Sequence, residues 1–168
     1  MAQSITVAVI SDTHSYLEPR IIDIVNDCDI CVHAGDICGA DILESLKPKS
    51  GKVYAVTGNN DPYCHITKTE LPKVLSFDVP GGKVTIEHGH LHGAHQPDHD
   101  SLRSTHPDAK VIIYGHTHKQ VIDKTAQPWV INPGAAGKTR THGGPSCLVI
   151  TCHAEAEWEI AKHRFSEE

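Results

Sequence analysis

The chain has 168 residues, the length of one domain with a buried core, and we expect a single domain over 1–168. Its formal charge of −6, from 15 Lys and Arg interspersed with 21 Asp and Glu, argues against nucleic-acid or membrane surfaces, which need clustered basic residues. The start, Met1-Ala2-Gln3-Ser4, has no basic region and no long apolar run, so the expected location is cytoplasmic.

Six cysteines (Cys28, Cys31, Cys38, Cys64, Cys147, Cys152) are expected as free thiols in a reducing compartment. Cys28-Asp29-Ile30-Cys31 matches CxxC, but it lacks a second CxxC or a suitably spaced histidine pair and runs into an apparent buried strand. Core packing is therefore the better reading. Fourteen histidines favour transition-metal binding without locating it.

Ile5 to Ser11 is β-branched and almost wholly apolar, as a central strand buried on both faces should be, and it runs into Asp12-Thr13-His14. Pro19 suits a first helical turn, with Ile21, Ile22, Ile24 and Val25 on one face before Asn26-Asp27. Ile30 to Ala34 reads as a second strand completing a βαβ unit and ending in Gly35-Asp36. A helix from Ala40 to Leu46 stops near Pro48. A third strand, Lys52 to Thr57, ends in Gly58-Asn59-Asn60-Asp61.

Val74 to Val79, the Pro80-Gly81-Gly82 turn and Val84 to His88 read as a hairpin. Gly89 to Asp100 is a polar connection whose His92, His95 and His99 are expected to be solvated, and Ser101 to His106 makes a helical turn or two. Val111-Ile112-Ile113 then leads into Tyr114-Gly115-His116-Thr117-His118. Alternation along a strand would send His116 and His118 to opposite faces, so they share a site only if the strand has ended, a turn that Gly115 is expected to allow. Trp129 to Asn132 enters the turn Pro133-Gly134-Ala135-Ala136-Gly137, and strands from Cys147 to Thr151 and Glu155 to Lys162 close the sheet. His65, His106, His142, His153 and His163 are expected on the surface.

Each buried strand thus ends in metal-ligand residues: Asp12-x-His14, Gly35-Asp36, Gly58-Asn59-x-Asp61, His88-Gly89-His90 and Gly115-His116-x-His118. Because carboxyl ends of strands in an α/β sheet meet at one edge, clusters a hundred residues apart can converge. These five blocks, in this order, resemble the calcineurin-like metallophosphoesterases. The compact length and the Ile131-Asn132-Pro133-Gly134 turn are similar to the small bacterial and archaeal phosphodiesterase branch.

The resemblance implies an α/β fold, a four-layer α-β-β-α sandwich of two mixed sheets flanked by helices. It implies two metal sites sharing one carboxylate. Asp12, His14, Asp36 and His118 would hold the first ion, and Asp36, Asn59, His88 and His116 the second, with Asp36 bridging and His90 as the alternative near His88. Two divalent ions roughly 3.5–4 Å apart need such a bridge. The cofactor implied is Mn²⁺, and Zn²⁺, Fe and Ni²⁺ suit the same nitrogen and oxygen donors. The reaction implied is hydrolysis of a phosphodiester by a metal-bridging hydroxide.

His33 is expected to buttress the site through a hydrogen bond. Many relatives place a histidine where this chain has Asn60. An amide is no general acid, so Asn60 is left to donate to a phosphate oxygen and Asp61 to order the loop, and diesters or good leaving groups should be favoured. Ala135-Ala136 stands where relatives often have serine. Tyr63 and Cys64 are read as lining the pocket. The expected partner is a small-molecule phosphodiester, with nucleic acid only as substrate, no membrane, and a homo-oligomer compatible with exposed strand edges. Two other readings stand beside this one: a phosphomonoesterase or protein phosphatase, and a non-catalytic protein-binding scaffold like the retromer subunit of this fold.

Overall fold

The computed structural model describes residues 4–59 and 71–166. Asn60, Asp61, Tyr63, Cys64 and His65 lie outside the described residues. Among those described, no helix is long and apolar enough to cross a membrane.

The first sheet is built on β1 (Ser4–Ile10), β2 (Ile30–His33) and β3 (Lys52–Ala55), which run parallel in that spatial order. Their connections are α1 (Pro19–Asp27), with Pro19 in its first turn and Ile21 and Val25 buried, and the short α2 (Ala40–Ser45). The second sheet opens with the hairpin β4 (Val74–Val79) and β5 (Gly82–Glu87), whose strands pair across the expected turn. After α3 (His99–Thr105) come β6 (Val111–Ile113), β7 (Gln120–Asp123) and β8 (Trp129–Pro133), giving the order β4-β5-β6-β8-β7 with β5, β6 and β8 parallel. The chain then returns to the first sheet as β9 (Ser146–His153) and β10 (Glu159–Arg164), antiparallel on the free side of β1.

Alternation along the strands sorts side chains into three cores. Val7, Val9, Val32, Ile86, Ile113 and Ile131 meet in the layer between the two sheets. The opposite face of the first sheet presents Ala8, Ile10 and Cys31 to Ile21, Val25 and Ile42 of its helices. Ile112 and Val130, on the outer face of the second sheet, pack under Leu102 of α3. The architecture is therefore the expected four-layer α/β sandwich of two mixed sheets flanked by helices.

Some boundaries and one element differ from expectation. The third strand ends at Ala55, although Val56 N still donates to His33 O at 3.1 Å before Thr57 N turns to Pro72 O, and the last strand is displaced to Glu159–Arg164. The strand Gln120–Asp123 has no counterpart in the sequence reading. It is a half-buried edge strand with only two apolar residues, too short for an alternation signal. The described cysteines are buried, Cys28 and Cys31 among them as free thiols in the core beneath the helices. Burial pushes both of those thiols up, which makes them inert packing groups.

A candidate metal centre at the seam between the sheets

The loops that follow β1, β2 and β3 in one sheet and β5 and β6 in the other lie side by side. Convergence thus comes from two packed sheets, not one open sheet. Hydrogen bonds carry the β1–β2 pairing beyond the strands, from Asp12 N to Gly35 O at 3.0 Å and from His14 N to Asp36 O at 3.0 Å. The two sheets are tied at the same place: His116 N donates to Asp12 Oδ2 at 3.0 Å, and Ala136 N to Ser11 O at 2.9 Å. Asn132 steadies the β6 loop, its amide donating to Gly115 O and Thr117 Oγ1 while its own oxygen accepts from Gly134 N.

Left-handed backbone is concentrated here. Asp12, His14, Asp36, His116 and His118 have φ of 53, 45, 55, 71 and 64°. Each costs a non-glycine residue roughly 1–2 kcal/mol relative to ordinary conformations, a cost borne by the surrounding packing. The glycines beside them make room for close approach. Gly115 is not itself left-handed; a methyl group there would overlap Ser11 Oγ and Asp12 Oδ2. The turn is made by His116 and His118. Gly58 likewise leaves room for the backbone and carboxylate of Asp36.

Three imidazoles aim Nε2 at two buried carboxylates. His14, His88 and His118 approach Asp12 Oδ1 at 4.0, 3.8 and 3.5 Å, and His14 and His88 approach Asp36 Oδ2 at 3.5 and 3.3 Å. His88 Nδ1 donates to Ala34 O at 2.8 Å and His118 Nδ1 to Thr139 O at 2.7 Å, so each ring turns its other nitrogen inward as a lone pair. His116 uses the reverse tautomer. Its Nε2 donates to Ala94 O at 2.6 Å, which leaves Nδ1 bare and 3.2 Å from Asn59 Oδ1.

The donor set fits divalent cations. Asp12 Oδ1 and His88 Nε2 are fully buried with no hydrogen-bond partner among the described residues, an arrangement that costs about 1–3 kcal/mol per atom unless a cation fills it. One oxygen or nitrogen from each of Asp12, His14 and His118 lies within 4.8 Å of the others, and the same holds for Asp12, Asp36 and His88. Electrostatics point the same way. Burial pushes Asp12 up to about 7 and His118 down to about 4. Burial also opposes a charge on His88, but the Asp36 and Asp12 carboxylates outweigh it and raise that group to about 9. The two carboxylates therefore call for a positive charge at this point.

Of the sequence-derived residues, Asp12, His14, Asp36, His88 and His118 come together directly, and His116 with Asn59 forms the adjoining edge, its ring against that of His88 at 5.2 Å between centroids. His90 sits behind, 5.5 Å from the His88 ring, and belongs to neither of the two groups. His33 acts as the expected buttress: Gly35 N donates to its Nδ1, and its Nε2 meets Thr13 Oγ1 at 3.1 Å, which ties the first two ligand loops together. Burial holds His33 down to about 3, so it stays neutral. Ala135 and Ala136 are fully buried; Ala136 packs in the core beneath the helices, and their polar contacts are through the backbone.

A cavity of about 560 Å³ opens beside His116, its wall carrying Gln96, Tyr114, Lys119, Arg140 and His142. Arg140 Nη2 reaches 3.4 Å from His118 Nε2. Lys119 and Arg140 were not singled out from the sequence, and no spacing rule would have found them; His142 was expected on the surface and is exposed there. Nor are all the loop histidines solvated. His99 bridges Asp123 and Tyr114 at 2.6 and 2.9 Å, while His92 and His106 both bind Glu87.

A model of the calcineurin-like phosphoesterase superfamily domain matches residues 5–155. The phosphodiesterase MJ0936 of Methanocaldococcus jannaschii is 30% identical over 139 residues, covering 76% of this chain and 82% of that protein. Among solved structures, one described as a novel archaeal phosphodiesterase superposes with a TM-score of 0.66 at 23% identity, covering 94% of this chain and 99% of that one. Vacuolar protein sorting 29 from Cryptosporidium parvum superposes with a TM-score of 0.76 at 20% identity, covering 99% of this chain and all (100%) of that one. These two likenesses show a common fold.

Proposed function

The chain belongs to the calcineurin-like phosphoesterase superfamily, and from that premise we propose that it is a binuclear, metal-dependent phosphodiesterase. Asp12, His14, Asp36 and His118 would hold one ion. Asp36, Asn59, His88 and His116 would hold the other, with Mn²⁺ as the metal and the whole chain acting as one cytoplasmic domain. The observation that supports this best is the pair of buried atoms Asp12 Oδ1 and His88 Nε2, which have no hydrogen-bond partner among the described residues, amid inward-facing imidazoles. When bound, two such ions would lower the pKa of a water molecule, bind non-bridging phosphate oxygens and offset charge in the transition state.

The residues of the chain set the remaining conditions. Ala34 O, Thr139 O and Ala94 O fix the tautomers of His88, His118 and His116, so the ligand nitrogens need no reorganisation before metal binds. Arg140 and Lys119 give the cavity wall a cationic side suited to an anionic ester, although the chain as a whole is acidic. Asn60 offers no proton to a departing oxygen, which favours diesters with good leaving groups over alkyl monoesters.

The test is a panel of aryl diesters and monoesters assayed with Mn²⁺, Zn²⁺, Fe²⁺ and Ni²⁺, with Asp36→Asn as control. Faster diester turnover that needs metal and disappears in the variant is expected. Monoester turnover exceeding diester turnover would establish the phosphatase reading instead, and a fully metallated protein inert to every ester would establish the scaffold.

A further inference from the structure

A second cluster of ligand-type side chains lies on the other face of β5. Ile86 enters the layer between the sheets, so strand alternation turns Glu87 to the outer face, beside the end of α3. There Glu87 is 4% exposed, a rare placement for a carboxylate, and its ion-pair partners among the described residues are two imidazoles with no Lys or Arg. His92, in the 3₁₀ turn His90–His92, brings Nε2 to 3.0 Å from Glu87 Oε1. His106, the residue that caps α3, brings its Nε2 against Glu87 Oε2.

We propose that Glu87, His92 and His106 form a third metal site, separate from the binuclear centre, that takes one Zn²⁺ and clamps the loop forming the cavity wall. Two imidazole nitrogens and one carboxylate oxygen are a recurrent zinc donor set, with a fourth position left to water. One such atom from each residue lies within 4.8 Å of the other two, so bonds of about 2.0–2.2 Å close the site with small side-chain movements. Ser101 Oγ holds His92 Nδ1 at 2.7 Å and so fixes the plane of that ring, the device commonly found behind zinc-bound histidine. The imidazole edges reach solvent, with side chains 12% and 13% exposed, which provides an entry path.

The site would join the end of β5, the 3₁₀ turn and the end of α3. Asp98 N donates to His92 O at 2.9 Å, closing a loop that carries Ala94, whose carbonyl orients His116, and Gln96 on the cavity wall. A zinc ion here therefore steadies the edge of the binuclear centre without entering it.

The test compares wild type, Asp36→Asn, His106→Gln and the double variant, each stripped with chelator, dialysed against Zn²⁺ and assayed for bound metal and for thermal unfolding. Glutamine at 106 can still donate to Glu87, so it preserves a purely hydrogen-bonded cluster while removing a zinc ligand. We expect His106→Gln to lose about one equivalent of zinc in both the wild-type and the Asp36→Asn background, together with part of the zinc-induced rise in Tm. Cobalt substitution of Asp36→Asn should give a four-coordinate visible spectrum that vanishes on adding His106→Gln. Equal zinc content with and without His106→Gln in both backgrounds would overturn the third site. Loss of metal by Asp36→Asn alone bears only on the binuclear centre.

Discussion

The two polar clusters on either side of β5 contain the same side-chain types and are built in opposite ways. At the seam between the sheets, the candidate ligands Asp12, His14, Asp36, His116 and His118 stand in left-handed backbone, and Asp12 Oδ1 and His88 Nε2 have no hydrogen-bond partner among the described residues. On the outer face, Glu87, His92 and His106 keep ordinary backbone, and both carboxylate oxygens are occupied by imidazoles. The first cluster is held open by the fold and is poised for cations before they arrive. In the second, both carboxylate oxygens already face imidazoles, contacts that a metal must displace, so its occupancy should depend more on metal concentration.

The contrast can be broken most directly at Asp36. Asp36→Asn removes the carboxylate proposed to bridge the two cations and leaves Asp12 as the other carboxylate of the site. Turnover should fall by at least about 10²–10³-fold with loss of most bound metal, whereas near-normal activity with full metal content would mean that the strained loops do not form the centre. Gly58→Ala tests whether the strain and close approach matter by pushing a methyl into Asp36. It should weaken metal binding about 10–100-fold and cost about 1–3 kcal/mol in urea unfolding, and unchanged affinity would show that the loop adapts freely.

Smaller effects sharpen the picture. Asn60→His should raise monoesterase relative to diesterase turnover by about tenfold if the missing proton donor limits monoesters, and an unchanged ratio would refute that reading. His33 carries a pH signature. Its folded-state value is pushed by burial to about 3, below its ordinary 6.5, so on acidification the unfolded chain takes up the proton first. Its stabilising contribution is complete above pH 6.5 and is lost as pH falls toward 3, by up to about 1.4 kcal/mol per pH unit. His33→Gln should therefore show a shallower loss of stability between pH 7 and 5 than wild type; equal slopes would show that His33 charges in place.

Much of this was legible in the chain itself. The first two βαβ crossings, the hairpin around Gly81 and the polar residues at five strand ends follow from β-branched runs punctuated by glycine and proline, because local periodicity and turn chemistry act over a few residues. The edge strand Gln120–Asp123 was not legible, since it is held by pairing with β8 and not by its own pattern. The cations Lys119 and Arg140 were not legible either. They reach the cavity from loops whose path depends on packing elsewhere.

By itself, then, the sequence determined which side chains could hold metal and at which strand ends they would stand. Tertiary structure alone decided how they do so. His116 and His118 take the left-handed backbone of the turn that Gly115 was expected to allow, Gly115 and Gly58 lack side chains and so let two carboxylates in, and three backbone carbonyls choose the histidine tautomers. It also made Glu87 the centre of a second cluster, since His92 and His106 are brought to it by a 3₁₀ turn and a helix end. The physical reason is range. Periodicity records neighbours along the chain, whereas strain, close approach and charge balance arise between segments that meet only when both sheets have packed.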